Sequence, residues 1–168
     1  MPYSIGIGIN FYPALTLVIF LPRLTIRPVL LDKLVNFAED ALPLESCALL
    51  LGEEKQPDCT VVDVFFVSNQ DQSMTSFSVD PSDLFCAYQH ARKLGLSVVG
   101  VFHSHPSLPQ PSQKDKKFMR LNPIIWLIYS TLSHTFSAFL HSGIVMHVQI
   151  SLITGGGVRH PWGITQPP

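Results

Sequence analysis

Val101-Phe102-His103-Ser104-His105-Pro106-Ser107-Leu108-Pro109-Gln110-Pro111-Ser112-Gln113-Lys114-Asp115 is the stretch on which the reading of the fold turns. It begins at the end of an apolar run, Leu96 to Phe102, that reads as a buried strand. In extended backbone, residues two apart project from one face, so His103 and His105 present two imidazoles side by side. A Pro-rich loop then leads into a short helix from about Ser112 to Leu121, whose first turn carries Asp115. Two neutral imidazoles and one carboxylate, with a fourth position left for water, are the donor set of an open catalytic zinc site. Ser-x-x-Asp ahead of a helix is also a capping arrangement that satisfies free backbone N–H groups. Taken alone, capping is the simpler reading of Ser112 and Asp115.

Working outward, Glu45 directly precedes the strand beginning Ser46-Cys47, whose apolar run from Cys47 to Leu51 ends in Gly52. A carboxylate at the edge of a buried run is either a solvated terminus or a deliberately placed base. Leu24 to Arg27 starts a strand, and Pro28 takes the first position of a helix carried by Leu30, Leu31, Leu34, Phe37, Ala38 and Ala41, which Pro43 closes. Thr60 to Val67 is a further core strand and Ser76 to Val79 a shorter one. Asp80 and Pro81 open a second helix, with Leu84, Phe85, Tyr88, Ala91 and Leu94 leading to a C-terminal cap at Gly95. Ile124 to Ser130, Thr135 to Leu140 and Ile144 to Ile153 complete the strands.

The chain has 168 residues, 46% of them hydrophobic, enough for one domain with a buried core. Eleven Lys and Arg against twelve Asp and Glu give a net charge of -1, so a grip on a nucleic-acid backbone is disfavoured. Cys47, Cys59 and Cys86 are odd in number and lack a Cys-x-x-Cys pairing, which points away from a disulfide framework and toward a reducing, cytoplasmic setting. All acidic residues lie between Asp32 and Asp115, and the only charge after Arg120 is Arg159. Residues 1–22 form an apolar N-terminal extension. Gly6, Gly8, Asn10 and Pro13 interrupt it and no positive residue precedes it, so two added strands are expected there and membrane attachment is not. Residues 23–154 are expected to form the catalytic domain and residues 155–168, rich in Gly and Pro, a flexible tail.

Taken together, Leu44-Glu45-Ser46-Cys47 with the apolar run to Gly52, His103-Ser104-His105-Pro106, and Pro111-Ser112-Gln113-Lys114-Asp115 resemble the JAMM or MPN+ metalloproteases. Val67 to Gln70, Phe77 to Pro81, Leu94 to Gly100 and Ile125 to Ile128 extend the similarity over about Leu24 to Ser130. One departure is that six residues separate His105 from Ser112 where the usual pattern has seven. The resemblance implies one zinc ion per chain, with its catalytic water, held by His103, His105 and Asp115. It implies Glu45 as general acid/base and Ser112 as a group stabilising the oxyanion of a tetrahedral intermediate. It implies a fold of the α/β (α+β) class: a single domain with a curved mixed sheet flanked by helices, cytidine-deaminase-like. The implied partners are ubiquitin or a ubiquitin-like modifier and its conjugates, with a proteasome-type assembly in view because proteasome-lid deubiquitinases share the pattern. The implied activity is isopeptide or peptide bond hydrolysis after the modifier's C-terminus. Processing of a ubiquitin-fold sulfur-carrier protein and a catalytically inactive MPN scaffold are the alternatives.

Other residues carry simpler readings. Cys47 falls on the same strand face as Glu45 but reads as a small core residue rather than a nucleophile. Cys86 and His90, four apart on a helix, are expected to be a buried thiol beside a surface imidazole, although a cysteine hydrolase would need such a pair. His134, His141, His147 and His160 show no mutual ligand spacing. Lys114, Lys116, Lys117 and Arg120 form a local basic face. Met74 to Val79, polar at alternate positions, is expected to be an exposed edge able to pair with an extended modifier tail.

Overall fold

Two irregularities in strand pairing decide which side chains face which way. The computed structural model describes residues 22–153 and 161–165; the strands expected within residues 1–22 fall almost wholly outside them. The elements run β1 (Arg23–Ile26), α1 (Pro28–Asp40), β2 (Cys47–Lys55), β3 (Asp58–Val67), α2 (Pro81–Lys93), β4 (Ser97–His105), α3 (Gln113–Leu121), β5 (Ile125–Ser130), β6 (Thr135–Ser142), β7 (Ile144–Leu152) and β8 (Gly163–Ile164). All eight strands join one mixed sheet in the order β5-β4-β2-β3-β1-β7-β6-β8, and a further pairing of β5 with β6 closes it on itself. The expectation of a mixed sheet with helices is met; its closure leaves seven strands in a ring.

Between β2 and β4 the register steps from Leu50 opposite Gly100 to Leu51 opposite Val98, so Val99 is an extra residue, a β-bulge. Val62 is likewise extra where β2 meets β3. The bulge exchanges the faces of β4. Val99 and Phe102 join an inner cluster with Leu30, Leu31 and Leu34 of α1. Val98 and Val101 join an outer cluster with Ala87 and Ala91 of α2 and Met119 of α3. From Val101 onward the odd-numbered residues therefore face outward, and His103 and His105 follow. At Gly100 an added Cβ would stand 2.7 Å from the Ile125 carbonyl oxygen, so only glycine lets β5 approach here.

The helices begin and end as their sequences lead one to expect. Asp80 caps α2, its carboxylate accepting from the Ser82 N–H at 2.7 Å, and Gly95, at φ +69°, takes the left-handed position after it. The buried stripe of α2 is small, Ala87 and Ala91. Its large apolar residues point outward instead: Phe85 is 64% and Tyr88 54% exposed.

Two expectations are corrected. Ser76 to Val79 is not a strand; only Val79 makes a single bridge, to Asn69. Its backbone is held by a side chain instead, with Asn69 Nδ2 donating to the Ser76 carbonyl at 3.0 Å and Asn69 Oδ1 accepting from the Ser78 N–H at 3.3 Å. The open edge expected at Met74 to Val79 is thus replaced by a loop. The expected flexible tail is also docked where it is described. Gly163 and Ile164 pair with Thr135 and Phe136, and the buried Trp162 indole donates to Asp32 Oδ1 at 2.7 Å and meets the Phe136 ring edge to face at 5.6 Å. Trp162→Ala is therefore expected to destabilise the fold by about 3–5 kcal/mol. A urea titration should show a lower midpoint with unchanged slope, and an unmoved midpoint would contradict the docking.

Candidate metal centre

The antiparallel pairing of β2 with β4 sets Cys47 opposite His103. Two residues outward along each chain, Glu45 meets His105 on the same face. The ladder continues beyond β2, because the Ser104 N–H donates to the Ser46 carbonyl at 3.0 Å. On the opposite face Ser104 Oγ accepts from the Ser46 N–H at 2.9 Å and from Ser46 Oγ at 3.1 Å. This serine pair locks the start of β2 to the end of β4. The Glu45 backbone is held on both sides, its N–H donating to the Ser73 carbonyl at 2.9 Å and its carbonyl accepting from Asn69 Nδ2 at 2.8 Å.

Asp115 comes from α3. Ser112 Oγ accepts from the Asp115 N–H at 3.1 Å, and the Ser112 N–H donates to Asp115 Oδ2 at 2.7 Å. The capping reading and the ligand reading are both realised, since the same Oδ2 lies 3.6 Å from His103 Nε2 and 3.3 Å from His105 Nε2. The two Nε2 atoms are 3.0 Å apart. His103, His105 and Asp115 are buried and form the group able to hold a metal ion among the described residues. Two ligand atoms about 2.05 Å from one tetrahedral ion lie about 3.3 Å apart. The three observed separations bracket that value, so the donor set fits a small tetrahedral cation.

Glu45 Oε1 lies 3.7 Å from His105 Nε2, and burial, followed by smaller opposing effects of His105 and Asp115, pushes its carboxyl up to about 7. Burial raises Asp115, but His103, His105 and Ser112 together hold it far below the usual carboxylate range. Burial holds His103 below the ordinary histidine value. For His105 burial acts in the same direction, yet Asp115, Glu45 and a hydrogen bond to the Leu108 backbone raise it. The centre thus joins a neutral imidazole, a more basic one, an ionised carboxylate and a carboxyl suited to carrying a proton.

All five residues singled out from the sequence come together here. Of the residues that hold them, Ser46 and Ser104 are marked only by their place beside Glu45 and between the histidines, Asn69 falls in the Val67 to Gln70 stretch of the resemblance, and Ser73 carries no local signal. Cys47 is buried, and burial and then the Glu45 charge push its thiol up to about 12, which leaves it a core residue. Cys86 is exposed, not buried as expected, because Ala87 and Ala91 take the buried stripe of α2. His90 faces Asp63 at 3.7 Å and Phe65.

Residues 27–141 match a family model described as prokaryotic homologs of the JAB domain. Over 86 residues the chain is 40% identical to a desampylase from Pyrococcus furiosus, a match covering 51% of this chain and 59% of that protein. The chain therefore spans less than two thirds of the length of that relative. The solution structure of a protein from Desulfitobacterium hafniense superposes with a TM-score of 0.70 at 33% identity, covering 77% of this chain and 92% of that one. A second, from Salinibacter ruber, gives 0.61 at 25% identity, covering 81% and 96%.

Ser104→Ala is expected to leave the buried Ser46 N–H without its side-chain acceptor, at a cost of about 1–3 kcal/mol in stability. Urea unfolding of the metal-free variant checks this, and a midpoint equal to wild type would show that the serine pair is not a lock.

Proposed function

The chain belongs to the family of prokaryotic JAB-domain homologues, and from that premise we propose that it is a zinc-dependent hydrolase cleaving isopeptide or peptide bonds after the C-terminus of a ubiquitin-like modifier. The observation that carries this reading is the buried set of three donor atoms at tetrahedral spacing, with a buried carboxylate beside it. His103, His105 and Asp115 would hold the ion. When bound, zinc supplies Lewis acidity, polarising a carbonyl and lowering the pKa of a coordinated water.

The protein's own groups divide the remaining work. Glu45 Oε1 takes a proton from the attacking water as the new C–O bond forms. It returns that proton to the departing amine nitrogen as the C–N bond breaks, so the protons balance over the cycle. Ser112 Oγ accepts from the Asp115 N–H, which leaves its own O–H to donate to the oxyanion. His105 turns its Nε2 toward Asp115 and Glu45.

The substrate class rests on the similarity to a desampylase, whose name marks it as an enzyme that removes a Samp modifier. An inactive scaffold has no need to keep Glu45, His103, His105 and Asp115 buried together, and no observation favours it. None of these similarities supports a proteasome-type assembly. No helix among the described residues is long and apolar enough to cross a membrane.

Purified protein reconstituted with zinc should hold close to one ion per chain and cleave a ubiquitin-like fusion in a chelator-sensitive, alkylation-insensitive way. Glu45→Gln should keep the zinc while losing turnover by about 10²–10⁴-fold. Turnover within a few-fold of wild type in that variant contradicts the role of Glu45, and zinc retained in a His103→Ala, His105→Ala double variant contradicts the site.

A further inference from the structure

A histidine that binds a metal ordinarily donates its second ring N–H to a carboxylate, a carbonyl or water, and that bond fixes the ring plane and the tautomer. His103 departs from this. Its Nε2 faces His105 and Asp115, while its Nδ1 is buried with no hydrogen-bond partner among the described residues. Two aromatic rings flank the imidazole instead. Phe77 stacks on it at 4.8 Å with an interplanar angle of 30°, and Trp126 meets it nearly perpendicular at 5.8 Å and 80°. Phe77 and Trp126 touch each other at 6.0 Å, so the ring sits in an aromatic corner.

The two walls differ in origin. Trp126 belongs to β5 and lies in the outer core. Phe77 is half-buried in the loop between β3 and α2, and that loop is itself tied to the catalytic groups. Asn69 grips both the Ser76 carbonyl at 3.0 Å and the Glu45 carbonyl at 2.8 Å. Asp71 accepts from Ser76 and Ser78 on either side of Phe77 and from Lys114 Nζ at 2.8 Å, next to Asp115. Phe77 is thus held on both flanks.

We propose that Phe77 is a positioning residue for His103, its stacked ring fixing the imidazole plane and hence the direction of the Nε2 lone pair. The inference rests on reading the cluster as a metal centre. Paired rings prefer a defined mutual orientation through their quadrupoles, a preference that an aliphatic side chain of similar volume lacks. Loss of an outer partner of a metal-bound histidine typically lowers metal affinity 10–100-fold.

The test compares Phe77→Leu, which keeps apolar bulk, with Phe77→Tyr, which keeps the ring, in the full chain. Zn²⁺ affinity is measured by competition with a chromogenic chelator, coordination geometry by the visible absorption of the Co²⁺-loaded protein, and fold by thermal unfolding without metal. Phe77→Leu is expected to bind Zn²⁺ about tenfold or more weakly with an altered Co²⁺ spectrum, while Phe77→Tyr matches wild type in both. The metal-free proteins should unfold at similar temperatures; Phe77→Met replaces Phe77→Leu if the latter does not fold. Wild-type affinity and spectrum in the aliphatic variant overturn the proposal, as does equal loss in both variants. If the wild-type protein binds neither ion, the metal reading itself fails and this inference with it.

Discussion

The pairing of Cys47 with His103 across β2 and β4 is the constraint on which the site depends. Because side chains alternate along a strand, a slip of one residue would turn Glu45 to the opposite face from His105. The register is held from two directions. Below, the bulge at Val99 and the close approach at Gly100 set which residues of β4 face outward. Above, the bonds between Ser46 and Ser104 fasten the two chain ends directly beside the functional groups. Asp115 is then added from a helix whose first turn is organised by the same Ser112 that caps it.

Gathering two imidazoles and two carboxylates in a buried place is unfavourable unless charge is compensated. The protein does part of this itself: Asp115 stays ionised against His105, while burial drives Glu45 toward its protonated form. A divalent cation is the natural counter-charge for such a set, and its binding then couples to the stability of the fold. The loop from Asn69 to Val79 belongs to the same economy of contacts. Through Asn69 it holds Glu45, through Phe77 it holds His103, and through Asp71 and Lys114 it reaches the helix of Asp115.

The groups of the candidate site were legible in the sequence because their chemistry is carried by short spacings: histidines two positions apart, and Asp115 three positions after Ser112. The helices were legible from Pro28, Asp80, Gly95 and Ser112. What was not legible depends on contacts distant in the chain. Closure of the sheet comes from the pairing of β5 with β6, strands that stand near opposite ends of the order, and no local pattern announces it. Trp162 is hidden among Gly and Pro, yet its partners Asp32 and Phe136 lie far away. Met74 to Val79 alternates like a strand, but alternation does not reveal that the Asn69 side chain takes the place of a neighbouring strand. On α2 the large apolar residues suggested the buried face, whereas close packing on the sheet selected the small ones.

The proposed arrangement of His103, His105 and Asp115 around a zinc ion is most directly tested by zinc K-edge X-ray absorption on the reconstituted protein. The expected spectrum has about four nitrogen or oxygen neighbours at about 2.0–2.1 Å, with outer-shell scattering from two imidazole rings. A sulfur neighbour at about 2.3 Å, or a first shell without imidazole, would contradict a centre built from His103, His105 and Asp115.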